Sequence, residues 1–374
     1  MKLQPFRLER YFARYEFTAP YLLCSSDCES MTVGELLALE PGAEARFQDL
    51  GLGYTESPGD PELRGEIAAS YDTVDGDGIL VHSGAEEGIF NFMNAVVEPG
   101  DRVIVQAPHY QSLGEVATGL GAEVVPWWGD AERGWAPDLG RLRELLAEPA
   151  RLVVVNLPNN PTGYLPDRKW LDELVALVED HGCWIFSDEV YRGLELDPLD
   201  QLPALVDLSP KAVSLGVMSK TYGLAGLRIG WLATRDPELY RRLASFKDYT
   251  TICNSAPSEF LATVALRHGA TLVERNLGIV RHNLTLLDAF FERHRDRFEW
   301  HRPRAGAIGF PRLLEGSVDR LCADLVEQAG VLLLPGTLFE PGLEAFRIGF
   351  GRRNLSEALA RFEAFLSGNG GGDG

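Results

Sequence analysis

Cysteine, methionine and histidine are scarce in this chain: five, four and seven among 374 residues. The cysteines (Cys24, Cys28, Cys183, Cys253 and Cys322) are odd in number and scattered, which argues against a disulfide framework and fits reduced thiols in a cytoplasmic protein. Cys24 and Cys28 are spaced like a metal pair, but no Cys or His partner lies near them in sequence, so no zinc or other metal site is expected. Basic charge is also short, with 35 Lys and Arg against 55 Asp and Glu, a formal net charge of −20. A surface for nucleic acid or anionic membrane needs a basic footprint, so neither is expected as a partner. No run of about eighteen apolar residues could cross a bilayer. The opening Met1-Lys2-Leu3-Gln4-Pro5-Phe6-Arg7 lacks the apolar stretch of a signal peptide.

What is present reads as an ordinary globular chain, 45% hydrophobic and 24% charged, long enough for two domains. From about residue 80 to 250, short apolar runs alternate with amphipathic stretches. Strands are predicted at 78–81, 102–106, 122–126, 152–156, 183–187, 212–216 and 229–233. Several are continuously apolar, as strands covered on both faces must be. Between them helices are predicted at 86–97, 110–120 and 167–181. Alternating βα units imply a mostly parallel sheet with helices on both sides, an α/β fold. The flanks differ. Residues 1–50 mix helix and loop. Beyond 265 a long helix leads to short strands at 306–313, 331–334 and 346–350 and a final helix at 356–366. The expected organisation is a large α/β domain over 51–265 and a smaller α+β domain from 1–50 with 266–366. The glycine-rich tail 367–374 is expected to be disordered.

Lys220 ends one of the apolar runs, where an unpaired ammonium is costly unless its pKa falls or it bonds to something. Ser219-Lys220 followed by Arg228 suggests an amine that forms a Schiff base, with a guanidinium nearby to hold an anion. Four further signals lie mostly at strand ends, where open α/β sheets place ligands. His82-Ser83-Gly84-Ala85-Glu86 runs a strand into a helix through small residues, a setting that binds phosphate. Asn159-Asn160-Pro161-Thr162-Gly163 is either a plain turn or a stiff loop presenting Asn160. Ser187-Asp188-Glu189-Val190-Tyr191 delivers a carboxylate at the end of a buried strand. Phe346-Arg347-Ile348 places an arginine in an apolar strand, either for an internal ion pair or for a substrate carboxylate. Together these are the groups that pyridoxal 5'-phosphate needs from a protein.

In these motifs, in this order, the chain resembles the class I/II aminotransferases, fold-type I pyridoxal-phosphate enzymes, from about Tyr54 to Arg347. The resemblance implies a catalytic set of Lys220, Asp188 and Tyr191. Lys220 would carry the cofactor, Asp188 would pair with its ring nitrogen, and Tyr191 and Asn160 would donate to its phenolic oxygen. The ring would stack on Tyr110. Backbone around Gly84, Ala85 and Glu86, together with Arg228, would hold the phosphate, and Ser219 would be a further cofactor-binding residue. Arg347, assisted by Asn160, would take the substrate carboxylate. Tyr54 would reach the phosphate of a neighbouring subunit, which implies a homodimer with shared sites. The activity implied is transfer of an amino group from an amino acid to a 2-oxo acid.

Departures from the family pattern mark the rivals. The stretch Leu22 to Ser30 lacks the Gly-x-Pro loop of many relatives. Its polar and acidic residues would suit a polar or cationic substrate side chain. It is loosely similar to fold-type I enzymes that rework arginine by cyclisation, oxidation or hydroxylation, and β-elimination is a further alternative. Val217 stands where many relatives carry a phosphate-binding serine, so Arg228 and the helix N-terminus must do more. A cofactor-binding regulator on this fold would carry a basic DNA-binding segment, and none is readable in this acidic chain.

Overall fold

The computed structural model describes residues 1–368. Its centre is an eight-stranded sheet of β1 (Ile79–His82), β2 (Arg102–Ala107), β3 (Glu123–Asp130), β4 (Ala136–Pro137), β5 (Leu152–Asn156), β6 (Trp184–Asp188), β7 (Ala212–Val217) and β8 (Gly230–Thr234). The order is β1-β8-β7-β6-β5-β2-β3-β4. Strands β3, β2, β5, β6 and β7 run parallel, whereas β8 is antiparallel to both its neighbours.

The parallel strands follow from their sequences. In β5 and β6, Val154 and Phe186 enter the core on one face, while Val153 and Ile185 pack on the other with Leu174 and Val178. Both faces are dry, so the runs are apolar throughout. The reversal of β8 goes with the connection that precedes it. Only Met218–Ile229 joins β7 to β8, with a single 3-10 turn at Ala225–Leu227 and no crossover helix. A parallel return is usually made through a crossover helix, and this connection folds back without one.

Five short strands complete the chain: β9 (Phe298–Glu299), β10 (Ile308–Gly309), β11 (Arg312–Leu313), β12 (Leu334–Pro335) and β13 (Phe346–Gly349). They form a three-stranded sheet β10-β13-β12 and a pair β11-β9. The single strand expected at 306–313 is therefore two. Pro311 separates them: it has no N–H to give a ladder, and its carbonyl accepts from Phe346 N–H at 3.0 Å. The strand expected at 331–334 likewise forms only at Leu334–Pro335. Leu332 N–H donates instead to the Tyr21 carbonyl at 2.8 Å. The helix Gly269–Arg293 links the two regions through the buried stripe Leu272, Val280, Leu284, Leu287 and Phe291. Part of the tail expected to be disordered is ordered: Ser367 and Gly368 close the last helix with N–H bonds to Glu363 and Phe365 carbonyls. Residues 369–374 lie outside the described residues. No described helix is long and apolar enough to cross a membrane.

The segment Tyr21–Glu29 runs over this second region. Gly349 N–H donates to the Leu23 carbonyl at 2.7 Å, and Glu29 N–H to the Gly351 carbonyl at 2.8 Å. At Gly349 there is no room for a Cβ, which would strike the Ser25 backbone, and at Gly351 it would meet the Asp27 carbonyl. Only glycine lets the segment lie this close. Gly349→Ala is expected to lower stability by about 2 kcal/mol through overpacking. Chemical denaturation would show it, and an unchanged midpoint would refute the tight docking.

Candidate active site

Because β1, β2, β5, β6 and β7 share one direction, their C-terminal ends fall on one edge of the sheet. β8, being reversed, brings its N-terminal end to the same edge. A cavity of about 210 Å³ opens there. Of the residues singled out in the sequence, Ala85, Glu86, Tyr110, Asn160, Asp188, Tyr191, Ser219, Lys220, Arg228 and Arg347 all line it. Gly84 lies just behind: a Cβ on it would collide with the Arg228 guanidinium. Tyr54 is not brought in. It is 95% exposed on its own chain and does not line the cavity.

At the floor, Asp188 ends β6, buried, and accepts from Val190 N–H at 3.2 Å. Burial pushes its carboxyl up to about 7, against the opposing pull of that hydrogen bond and of Lys220. Asn156 ties the turn together: its amide donates to the Asp188 carbonyl at 2.9 Å and its oxygen accepts Asn160 N–H at 2.6 Å. Among the described residues the buried Tyr191 hydroxyl has no partner in hydrogen-bond geometry, with the Ser26 hydroxyl beside it. Burial holds that phenol well above its usual range.

Arg347, on β13, is 2% exposed. Its Nε and Nη2 donate to the Cys24 carbonyl at 3.1 and 3.0 Å, and Nη1 donates to Asn160 Oδ1 at 3.1 Å. Among the described residues no carboxylate pairs with it. A guanidinium carries five N–H groups, so two remain to meet a ligand. Lys220 is part-buried and donates to Ser26 Oγ at 2.8 Å. Burial lowers its pKa most, Arg347 adds to that, and Asp27 and Asp188 oppose it.

On the β1 side, Gly84 (φ +89°) turns the chain into the helix Ala85–Val96, whose N-terminus has no side-chain cap. Gly230 packs against it so closely that a Cβ would strike Gly84 and Ala85 backbone. Arg228, in the left-handed region at φ +53°, stands beside this N-terminus. Free N–H groups, a helix dipole and a guanidinium make an anion cradle.

Among the cavity residues that the sequence did not single out are Leu8, Glu9 and Phe12 from the helix Arg7–Tyr15, while Ser26 comes from the Leu22–Ser30 stretch without having been named by itself. The helix reaches the site through distant contacts, with Arg7 N–H on Gln111 Oε1 at 2.9 Å and the Phe6 ring 5.2 Å from Tyr110. No local motif announces such contacts. The acids expected to face a substrate from the Cys24–Ser30 stretch are otherwise engaged. Asp27 pairs with Arg352 at 3.0 Å, and Glu29 accepts Arg353 N–H at 3.0 Å. Besides Asp188 at the floor, the acids that line the cavity are Glu9 and Glu86. Glu86, expected to serve through its backbone, also accepts from the Ser112 hydroxyl at 3.1 Å.

The set fits pyridoxal phosphate on its own evidence: an orphaned buried phenol, a buried unpaired carboxylate, a lysine of lowered pKa and an uncapped helix N-terminus in one cavity. The profile of the family "Aminotransferase class I and II" matches residues 22–362. The chain belongs to the class I/II aminotransferase family. Its fold is that of fold-type I enzymes and its cofactor is pyridoxal 5'-phosphate. Capreomycidine synthase of Streptomyces vinaceus is 34% identical, covering 94% of this chain and 91% of the relative. A PLP-dependent aminotransferase from Streptococcus suis superposes with a TM-score of 0.93 at 33% identity over the whole of both chains. The PLP-dependent cyclase OrfR gives a TM-score of 0.89 at 28% identity over 98% of each.

The Asp188 carboxyl carries a pH signature. Unfolded, it ionises near 4; folded and free of cofactor, it holds its proton to about pH 7. A raised carboxyl costs stability once the unfolded chain alone has released the proton. Its contribution therefore worsens as pH climbs from about 4 to 7. Asp188→Asn should remove this, so its melting temperature relative to wild type should rise across that window. Parallel melting curves would contradict the assignment.

Proposed function

We propose that this protein is a pyridoxal-phosphate-dependent aminotransferase that takes its amino group from an amino acid and gives it to a 2-oxo acid. The reading is carried by Arg347, a buried guanidinium with two N–H groups to spare and no anionic partner, lining one cavity with Lys220 and Asp188. The domain over 51–265 would bind the cofactor, and 1–50 with 266–366 would supply Arg347 and the cover.

When bound, pyridoxal phosphate supplies an electron sink for the pair left at the substrate Cα. The protein's own residues do the rest. Asp188 as a carboxylate would hold a proton on the ring nitrogen, since opposite charges in contact favour both ionised forms. The Tyr191 hydroxyl, which has no partner in hydrogen-bond geometry among the described residues, and the Asn160 amide would donate to the ring's phenolic oxygen. The N-terminus at Ala85–Glu86 and the Arg228 guanidinium would hold the phosphate. Arg347 and Asn160 would fix the substrate carboxylate, which disfavours its loss and leaves the Cα–H bond to react. Lys220, whose burial disfavours the ammonium, would then move the proton. Such acid–base help is worth about 10²–10⁴-fold.

The exposed side chains Leu52, Tyr54, Tyr249 and Ile252 belong to segments stitched together by Thr55 and Ser57 hydrogen bonds to Asn254 and Asp248. We read them as the contact with a second copy of the chain, which Tyr54 would enter. Lys220→Ala is expected to lose the visible absorbance that lysine attachment gives the cofactor, and to lose turnover. Unchanged turnover would sink the reading.

Glu9 and Glu86 favour a second reading, conversion of a basic amino acid such as arginine with cyclisation or oxidation in place of amino transfer. Each lowers the energy of a cation near it, and the likeness to capreomycidine synthase points the same way. Mixing the protein with single amino acids separates the two readings: a free 2-oxo acid marks amino transfer, a cyclic or oxidised product the alternative. In either case Glu9→Gln should raise KM for a basic amino acid roughly tenfold and leave KM for a neutral one unchanged. Equal changes for both would remove Glu9 from specificity.

A further inference from the structure

The hydrogen bond from Lys220 Nζ to Ser26 Oγ, 2.8 Å long, is made by a residue that no family motif supplies. Ser26 is held in place from both sides. Before it, the Cys24 carbonyl receives two donors from Arg347. After it, Arg352 grips the Asp27 carboxylate at 3.0 and 3.1 Å, and Arg275 donates to the Glu29 and Ser30 carbonyls at 2.7 and 2.9 Å. Beneath it, Gly349 and Gly351 let the backbone lie flush on the strand that carries Arg347. The hydroxyl is thus fixed relative to the carboxylate-binding arginine before any substrate arrives.

Lys220 needs such a fixed point. Its side chain is a flexible four-carbon stem with a rotating head, and burial alone gives that head no direction. The charged and titratable groups around Lys220 and Ser26 are Asp27 and Cys28 on the segment of Ser26, Asp188 at the end of β6, Arg347 on β13, and the Tyr191 phenol beside the Ser26 hydroxyl. Asp27 is already taken by Arg352, and among the described residues no carboxylate forms an ion pair with Lys220. A carboxylate partner would lock the amine as ammonium and remove it as a base. A hydroxyl accepts from the amine N–H and can also donate to its lone pair, so it directs the group in both protonation states.

We infer that Ser26 is a positioning residue for Lys220, holding the amine on the line along which it takes up and returns the substrate proton. The inference rests on the reading of Lys220 as the cofactor lysine, and a readout that needs no cofactor tests it separately. Competitive acetylation of the full chain, freed of cofactor, with acetic anhydride across pH reports the titration of Lys220 by mass spectrometry. Ser26→Ala should move the Lys220 midpoint to lower pH, because the lost acceptor favoured the charged form. Ser26→Thr, which keeps the hydroxyl, should restore it. In the loaded enzyme Ser26→Ala should lower kcat roughly tenfold with KM for the amino acid unchanged, the signature of a group that aims without binding. An alanine variant that folds and labels with the wild-type midpoint overturns the inference, whatever its turnover. If Lys220→Ala keeps the cofactor absorbance, the reading of Lys220 fails while the labelling comparison still stands.

Discussion

Burying the Arg347 guanidinium takes a full positive charge out of water while offering it only neutral acceptors, the Cys24 carbonyl and the Asn160 amide oxygen. Taking an ion into the interior costs several kcal/mol even after relaxation. Hydrogen bonds to a charged group return about 1.5–3 kcal/mol each. A substrate carboxylate would supply the missing counter-charge, so the fold keeps Arg347 waiting for an anion. This explains why so much structure converges on one side chain. The flanking strands β10 and β12 hold its strand from both sides, the Tyr21–Glu29 segment closes over it, and the Phe12 ring lies 5.9 Å from its guanidinium carbon.

The second constraint is the short return between β7 and β8. Its twelve residues form no crossover helix, β8 runs backwards, and both Lys220 and Arg228 sit within the return. Register then does the positioning. Gly230 pairs with His82 of β1, which sets Arg228, two residues earlier, beside the Gly84 turn and the helix it opens. A bulkier residue at 230 would drive the strand away from that turn and pull the guanidinium out of the anion cradle. One short connection therefore places the amine and the anion-binding arginine of the same site.

This division shows what a sequence can reveal. The strands around 102–106, 152–156, 183–187 and 212–216 are legible because burial on both faces demands unbroken apolar runs, and observed ends differ by one residue at most. Asp188, Asn160, Lys220 and Arg347 are legible because polar groups at the ends of such runs need a reason. The direction of β8 is set by a connection that forms no crossover helix more than by the strand's own side-chain pattern, and the split at Pro311 by where one missing N–H falls. Glu9 and Phe12 were hidden for another cause, and Ser26 was visible only as part of the Leu22–Ser30 stretch. Their partners lie far away along the chain, and an amphipathic helix or polar loop reads the same whether it faces solvent or a cavity. Tyr54 shows the opposite limit: its motif was legible, yet within one chain its side chain lies in solvent.

The charge layout of the lining also bears on which amino acids the proposed reaction would accept. In that proposal Arg347 would fix one end of any amino acid, whatever its side chain, because the carboxylate is common to all. Discrimination must come from what the side chain then meets. The exposed lining residues are Glu9, Glu86 and Arg228, and Arg228 belongs to the anion cradle, which leaves two carboxylates to face the variable group. Loss of solvent around its carboxyl pushes Glu86 up to about 7, the Ser112 hydroxyl opposes this, and the charge of Glu9 adds to it. A cationic side chain placed between the two acids would relieve their repulsion, whereas a second substrate carboxylate would add to it. Like and unlike charges a few ångströms apart at a partly screened site differ by several kcal/mol, enough for discrimination of a hundredfold or more. In the proposed reaction, Glu9 and Glu86 would therefore set the sign of the side chain that the site admits.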